Sequence, residues 1–306
     1  MSTLRTEIQS GVDLTIPNVV CLISGETSYA TAYKGQIFSY SRKGVEFMHG
    51  GGKPEDIKDE HDKKGWPNSE ISMFPVIGST DGVVLMDGNN EKHYPMGGKH
   101  GISRHLPWGV KTGRTLSSVV FVQYHNGKSL IRNTRYHPDK PENGPEYFEW
   151  PFEFNQEKSV ELTPTELRFG LTLTNLSNQQ MPHRRGFHSA FKTQGPINEG
   201  EFIVSGIKIP LEKIVEASQK GAYPLPGVSN VYYRNKETGH GFLLYSNAPG
   251  VVLWSPGIDS GMFCIEPVSH MTKPVKPYFV DIEEHSVLLP GESDELQVRI
   301  VPYKMS

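Results

Sequence analysis

Apolar residues alternating with polar ones, in short runs along the whole chain, constrain this sequence more than any other feature. In "ELRFGLTLTN" Leu167, Phe169, Leu171 and Leu173 take every second position, with Arg168, Thr172 and Thr174 between them. Side chains that swap sides at each step suit a strand with one buried face, and a helical spacing does not reproduce that pattern. Val160 and Leu162 lead into Thr-Pro-Thr just before this run, so 159–174 reads as a hairpin. "SSVVFVQYH" (117–125) is a further strand, and "GFLLYSNAPGVVLW" (241–254) holds two around Ala-Pro-Gly. Near the end, Val287 and Leu289 lead into a Pro-Gly turn, after which Leu296, Val298 and Ile300 alternate. The 306 residues include 31 Gly and 23 Pro, which punctuate the runs at short intervals. "PLEKIVEASQKG" (210–221) predicts a short helix that Gly221 closes. "KPEDIKDEHDKKG" (53–65) predicts a charged, solvated loop. No repeat or linker divides the chain. The expectation is one all-β domain over residues 1–306, two large stacked sheets with few short helices.

Composition narrows the function. A net charge of −3 gives no basis for a nucleic-acid or acidic-membrane partner. Two cysteines, Cys21 and Cys264, build neither a disulfide framework nor a cysteine-type zinc site. The first thirty residues lack the apolar core of a secretory signal, and no run approaches the roughly 18 apolar residues of a membrane span. A cytoplasmic protein is expected. "HGGGKPED" lacks the spacing and the Lys-Ser/Thr of a phosphate loop, and neither a dinucleotide fingerprint nor a Gly-x-Ser-x-Gly elbow is present. His183 and His188, five apart in extended sequence, face opposite ways, so no metal site and no cofactor are expected.

Three segments place polar groups in otherwise apolar, strand-like sequence: "KHGISRHLPW" with His100, Arg104, His105 and Trp108; "GFHSAF" with His188; and "MFCIEPVSH" with Glu266. Phe263 and Ile265 share one face of their strand, and Met262, Cys264 and Glu266 the other. By the same parity Phe187 and Phe191 oppose His188 and Ala190. Taken alone, such a histidine is most often a satisfied core residue, and such a glutamate a strand end in solvent or an arginine's partner. If the two faces meet in one cleft, the pair is an acid–base couple. Without a nucleophile or cofactor, such a couple is suited to moving protons. Imidazole titrates near neutrality unaided, whereas a carboxyl group needs partial desolvation to become a useful base.

These residues resemble the aldose 1-epimerases, or mutarotases, and within them the branch of LacX-type proteins and hexose-6-phosphate mutarotases. "FPVIGS" (74–79) resembles the family's Phe-Pro-x-x-Gly-Arg element. "HYPMGGKHGISRHLPW" (93–108) resembles its Tyr-x-Met-x-x-His-Gly-Phe-Ala-Arg-x-x-x-Trp element, and "LRFGLTLTNLSN" with "GFHSAF" the strand, loop and histidine that follow. "MFCIEP" resembles its Cys-Ile-Glu-Pro segment. The four agree in order, and the likeness runs from about residue 30 to the end.

The resemblance implies a galactose mutarotase-like β-supersandwich with a sugar cleft on one sheet. It makes Glu266 the base that takes the anomeric hydroxyl proton and His188 the acid that protonates the ring oxygen. His100 and Arg104 match positions that hold sugar hydroxyls, and Trp108 reads equally as an apolar face for the ring or as a core aromatic. Three departures stand out. Ser79 replaces the arginine of the first element. "WPNSEISMF" carries no arginine either, and "PGVSNVYY" offers only Asn230 where many mutarotases have a sugar-binding aspartate. The leading expectation is a cofactor-independent mutarotase, an isomerase whose partner is a small-molecule sugar. The departures motivate an alternative, a carbohydrate-binding or sensing protein on the same scaffold. A lesser alternative is a cupin-like metalloenzyme.

Overall fold

The alternating runs become strands whose buried faces meet across one core. The computed structural model describes residues 12–13, 19–51, 69–78, 82–87, 90–95, 99–140, 143–271, 278–279 and 286–305. Among these, ten strands form one antiparallel sheet. Its centre runs Gly109–Lys111, Ser118–Asn126, Glu153–Leu162, Leu167–Asn175, Ser293–Lys304, His240–Ser246, Asn230–Asn235 and Gly200–Val204. A second, nine-stranded sheet runs Tyr223–Pro226, Gly250–Trp254, Met262–Val268, Gly186–Lys192, Glu70–Met73, Gln36–Arg42, Ser28–Tyr33 and Val19–Ser24, with Val45–Glu46 paired to one side. We call the second the site sheet and the first the back sheet.

The hairpin expected at 159–174 is present, with Leu162 opposite Leu167 across a tight turn. Leu167, Phe169, Leu171 and Leu173 are all buried. The two strands around Ala-Pro-Gly also form, but in different sheets: His240–Ser246 in the back sheet and Gly250–Trp254 in the site sheet. The strand holding Val287 pairs with Met181–His183, away from the long strand that follows it. The expected helix is Leu211–Ser218, with Leu211, Ile214 and Val215 buried. The charged segment 53–65 lies outside the described residues. No helix among the described residues is long and apolar enough to cross a membrane.

The main core fills the space between the sheets. Aromatic contacts cross it: Phe191 meets Phe242 at 4.5 Å, Phe263 meets Tyr233 at 4.1 Å, and Phe187 meets Phe169 at 4.9 Å between ring centroids. Burying this much aromatic surface from both sheets is the main stabilising contribution to the sandwich. A second apolar cluster, containing Phe74, Ile102, Phe148, Trp150 and Phe154, packs beneath residues 99–108. That cluster anchors the loop that reaches the site.

Candidate functional site

The side-chain parity read from the two central strands holds in three dimensions. Phe187, Phe191, Phe263 and Ile265 point into the core between the sheets. Ala190, Met262 and Cys264 cluster on the opposite face. Ladder partners share a face, and Gly186 pairs with Val268 while Ala190 pairs with Cys264. This register sets His188 opposite Glu266, on the face turned from the core. Their Nε2 and Oε1 atoms lie 3.3 Å apart, and both side chains are less than a tenth exposed.

Burial works against charge on both groups. It lowers His188 from 6.5 to about 3, with Arg104 and then Lys99 adding to the effect. It raises Glu266 from 4.5 to about 8, which Lys99 partly opposes. Near neutral pH the couple therefore carries one proton, held on the carboxyl group.

His100 reaches the couple from outside the sheet. Its ring stands edge-on to His188 at 4.9 Å between centroids. Its backbone adopts φ 70°, as does that of Gly101. Only glycine fits at 101, since a Cβ there would lie 2.2 Å from the Phe74 carbonyl oxygen. The turn is pinned on both sides. His100 N–H donates to Gly78 O at 2.8 Å, and Ile102 N–H to Phe74 O at 2.7 Å. The back sheet contributes Gln123, whose amide donates to Ser103 O and Leu106 O, and Gln156, which accepts from the Ser103 hydroxyl. The Gly78 N–H donates to His100 Nδ1 at 3.2 Å, so the ring's own proton sits on Nε2. Burial first, then His188, Arg104, Lys99 and Arg135, holds this imidazole neutral. A left-handed, non-glycine residue held this firmly is an uncommon conformation that the surrounding contacts must maintain. Here it presents a neutral N–H donor beside the couple.

Arg104 and Trp108 line a recess together with Lys34, Gly35, Ile71 and Ser72. The couple is not itself in this lining. It adjoins the recess through Ile71, the ladder partner of His188. Trp108 is 8% exposed and belongs to the main core cluster, so it serves as packing and as recess wall. Gly35 is pressed to its ring, where a Cβ would come within 2.7 Å.

Asn230 falls elsewhere. It starts a strand of the back sheet, opposite Tyr245, with an exposed side chain. The structure does not bring it to the couple, because the couple faces away from that sheet. Ser79 lies outside the described residues. His183 and Arg185 turn away from His188 to Asp294 of the back sheet, at 3.5 Å and 2.5 Å. Arg184 and Arg185 are both buried.

Sequence reasoning missed several neighbours. Trp254 lies 6.1 Å from His188 between ring centroids. Arg135 acts electrostatically on His100, Arg104 and His105. It comes from a loop 31 positions beyond Arg104 in sequence, and nothing in its local pattern marks it. Cys264 was legible by parity, two residues before Glu266. Donor atoms of His188, Cys264 and Glu266 all lie within 4.8 Å of one another, a set capable of holding a metal ion. This donor set differs from the His183/His188 pairing that spacing argued against. A metal there would have to displace protons from a thiol and a carboxyl that burial keeps neutral.

No protein-family model matches the chain, and no curated protein matches it by sequence. Solved structures do match its shape. A galactose mutarotase-like protein from Lactobacillus casei superposes with TM-score 0.72 at 18% identity, covering 93% of this chain and 100% of that one. A galactose mutarotase-like protein from Clostridium acetobutylicum gives 0.68 at 15% identity, covering 93% and 95%. Galactose 1-epimerase from Lactobacillus acidophilus gives 0.66 at 11% identity, covering 94% of each chain. Identities this low speak to fold, and not to activity. The chain has the galactose mutarotase-like β-sandwich fold.

Proposed function

We propose that this protein is a cofactor-independent aldose 1-epimerase that interconverts the anomers of a sugar. The observation that carries this reading is the 3.3 Å approach of His188 Nε2 to Glu266 Oε1 on one face of the site sheet. In the reaction, Glu266 takes the proton of the anomeric hydroxyl, O1. The C1–O1 bond becomes a carbonyl as the C1–O5 bond breaks, and His188 gives a proton to O5. Rotation about C1–C2 and closure on the other face return both protons. The pair carries one proton throughout, on the imidazole before opening and on the carboxyl afterwards. Burial favours the second arrangement, so the resting couple already matches the state that faces the open-chain aldehyde. The proton crosses between the two groups before the next cyclic sugar reacts. His100 Nε2–H supports the reading as a neutral donor to a sugar oxygen, and Trp108 as an apolar wall for the ring.

Anomer exchange followed by NMR tests the reading. His188→Ala and Glu266→Gln should each lower the rate by roughly 10²–10⁴ on a sugar that the unmodified protein accelerates. Variants that keep the full rate defeat it. Sugar-dependent stabilisation with no acceleration of any sugar would instead assign the chain to non-catalytic carbohydrate binding, the role that its missing arginines and aspartate suggest.

A further inference from the structure

Three corners of one square on the site sheet carry atoms that bind metals. His188 stands opposite Glu266 across the ladder, and two residues along each strand Ala190 stands opposite Cys264. Alternation puts all four on the face turned from the main core. A buried thiol is ordinarily core packing, and Cys264 does pack with Ala190, Met262 and Trp254. Its other side differs. Cys264, His188 and Glu266 each offer a donor atom to one region, and these atoms all lie within 4.8 Å of one another. Ala190, the fourth corner, has only a methyl group, too small to separate Cys264 from His188 across the diagonal. His188 Nε2 and Glu266 Oε1 are 3.3 Å apart. A tetrahedral zinc ion bonded to one nitrogen and one oxygen holds them about 3.3–3.4 Å apart, since each bond is about 2.0–2.1 Å long. Cys264 is in no disulfide and has no exposed surface, whereas His188 and Glu266 each keep a little. An ion therefore reaches the set from the side of the couple, with the thiol as floor. No other group of three such residues occurs among the described residues.

We propose that His188, Cys264 and Glu266 form a zinc site, and that zinc bound there switches off proton transfer to the sugar. The second half rests on the epimerase reading, and the first does not. Imidazole, thiolate and carboxylate together suit zinc, whereas magnesium and calcium take oxygen ligands. Three protein ligands leave a fourth position for water. Coordination ties up the His188 lone pair and the Glu266 carboxylate, and it releases the thiol proton and the single proton of the couple to water. No base then remains for the anomeric hydroxyl, and no acid for the ring oxygen. Free zinc and the cyclic sugar thus compete for one pair of residues.

The test titrates the full chain, freed of metal by a chelator, with Zn²⁺, with Co²⁺ as a spectroscopic stand-in, and with Mg²⁺. Cys264→Ala and the near-isosteric Cys264→Ser remove the thiolate and leave the couple in place. Co²⁺ should give a thiolate-to-cobalt charge-transfer band that Zn²⁺ abolishes, that Mg²⁺ does not, and that both variants lack. His188→Ala should weaken Co²⁺ binding too, a readout independent of its lost activity. Zn²⁺ should raise the melting temperature and suppress NMR anomer exchange, and the chelator should restore it. The Cys264 variants should keep the metal-free exchange rate. Their affinity for zinc should fall by more than the roughly 10–100-fold that losing an outer-shell partner costs. Absence of the band, or zinc affinity that the Cys264 variants leave unchanged, overturns the site. Exchange that requires zinc overturns the inhibitory role. Exchange that depends on His188 and ignores zinc overturns the inhibition and leaves the epimerase reading standing. A band that needs Cys264, in a chain that exchanges no sugar, upholds the zinc site and removes the epimerase reading.

Discussion

Glu266 and His188 occupy the same kind of place for the same reason. Each is a polar residue at an outward position of a strand whose inward positions are large and apolar, and each is then covered. Their parity was legible, because alternation fixes the face of every residue once the strand is known. Their being opposite one another was not, because ladder register across 78 residues of chain leaves no trace in either segment. The pH dependence follows from that juxtaposition. In the proposed reaction the couple must carry one proton. With ordinary values of 4.5 and 6.5 the rate would decline above pH 6.5. With His188 lowered to about 3 and Glu266 raised to about 8, the couple keeps one proton across that whole interval. Burial lowers His100 well below its usual range and raises Cys264 well above its own, and Arg104, lowered to about 9, stays charged through this interval. The enzymatic exchange rate, corrected for spontaneous mutarotation, should therefore be flat from about pH 4 to 7.5. It should fall above about 8 as Glu266 loses its proton. A decline beginning near 6.5 would show that the two groups keep their solution values and do not act as a buried pair.

At the scale of elements, the site sheet is tied to the back sheet by a Lys–Glu pair directly beneath the strand that carries His188. Lys158, on Glu153–Leu162, bonds Glu70 and the Gly35 carbonyl with no exposed side-chain surface on either member of the pair. Glu70 is the ladder partner of Ser189, the residue after His188. The lysine also lies 5.4 Å from the Phe187 ring. Half of this pair was visible in the sequence. In "FNQEKSVEL" Phe154, Gln156, Lys158, Val160 and Leu162 share one parity, which puts a lysine on a core face. Its partner sits in Glu70–Met73, four residues too short to show a pattern. Similarly, nothing around Ala-Pro-Gly reveals that the strands on either side belong to different sheets. Removing one member of a buried pair strands the other charge, at a cost of about 3–5 kcal/mol. Replacing both with apolar residues of similar size should cost far less. Urea midpoints should thus fall sharply for Lys158→Met and for Glu70→Leu, and recover in the double variant. A double variant whose loss equals the sum of the two singles would mean that the residues do not act as a unit.

For the molecule as a whole, the class of fold was legible because alternation and turn residues recur along the chain, while the order of strands was not. Order is set by which faces and edges fit after collapse, and that information is spread over both sheets. The last long strand shows the consequence. Ser293–Lys304 lies in the interior of the back sheet, between Leu167–Asn175 and His240–Ser246, although it is the final strand in sequence. Its inward residues Leu296, Val298 and Ile300 are buried in the main core. Its Asp294 meets Arg185, and its Arg299 donates to Glu166 of the hairpin turn. Without it, two long neighbours would each expose an unpaired edge, and the aromatic core would lose one wall. A chain stopped at residue 292 should therefore lose its cooperative urea transition and become protease-sensitive throughout, the site sheet included, even though every residue of the couple and the recess remains. Retention of the full-length midpoint by that shorter chain would mean that the strand is peripheral, contrary to the sheet order. The expected loss would mean that the His188–Glu266 geometry depends on a strand that touches neither residue, and that the sandwich closes around its site only as a unit.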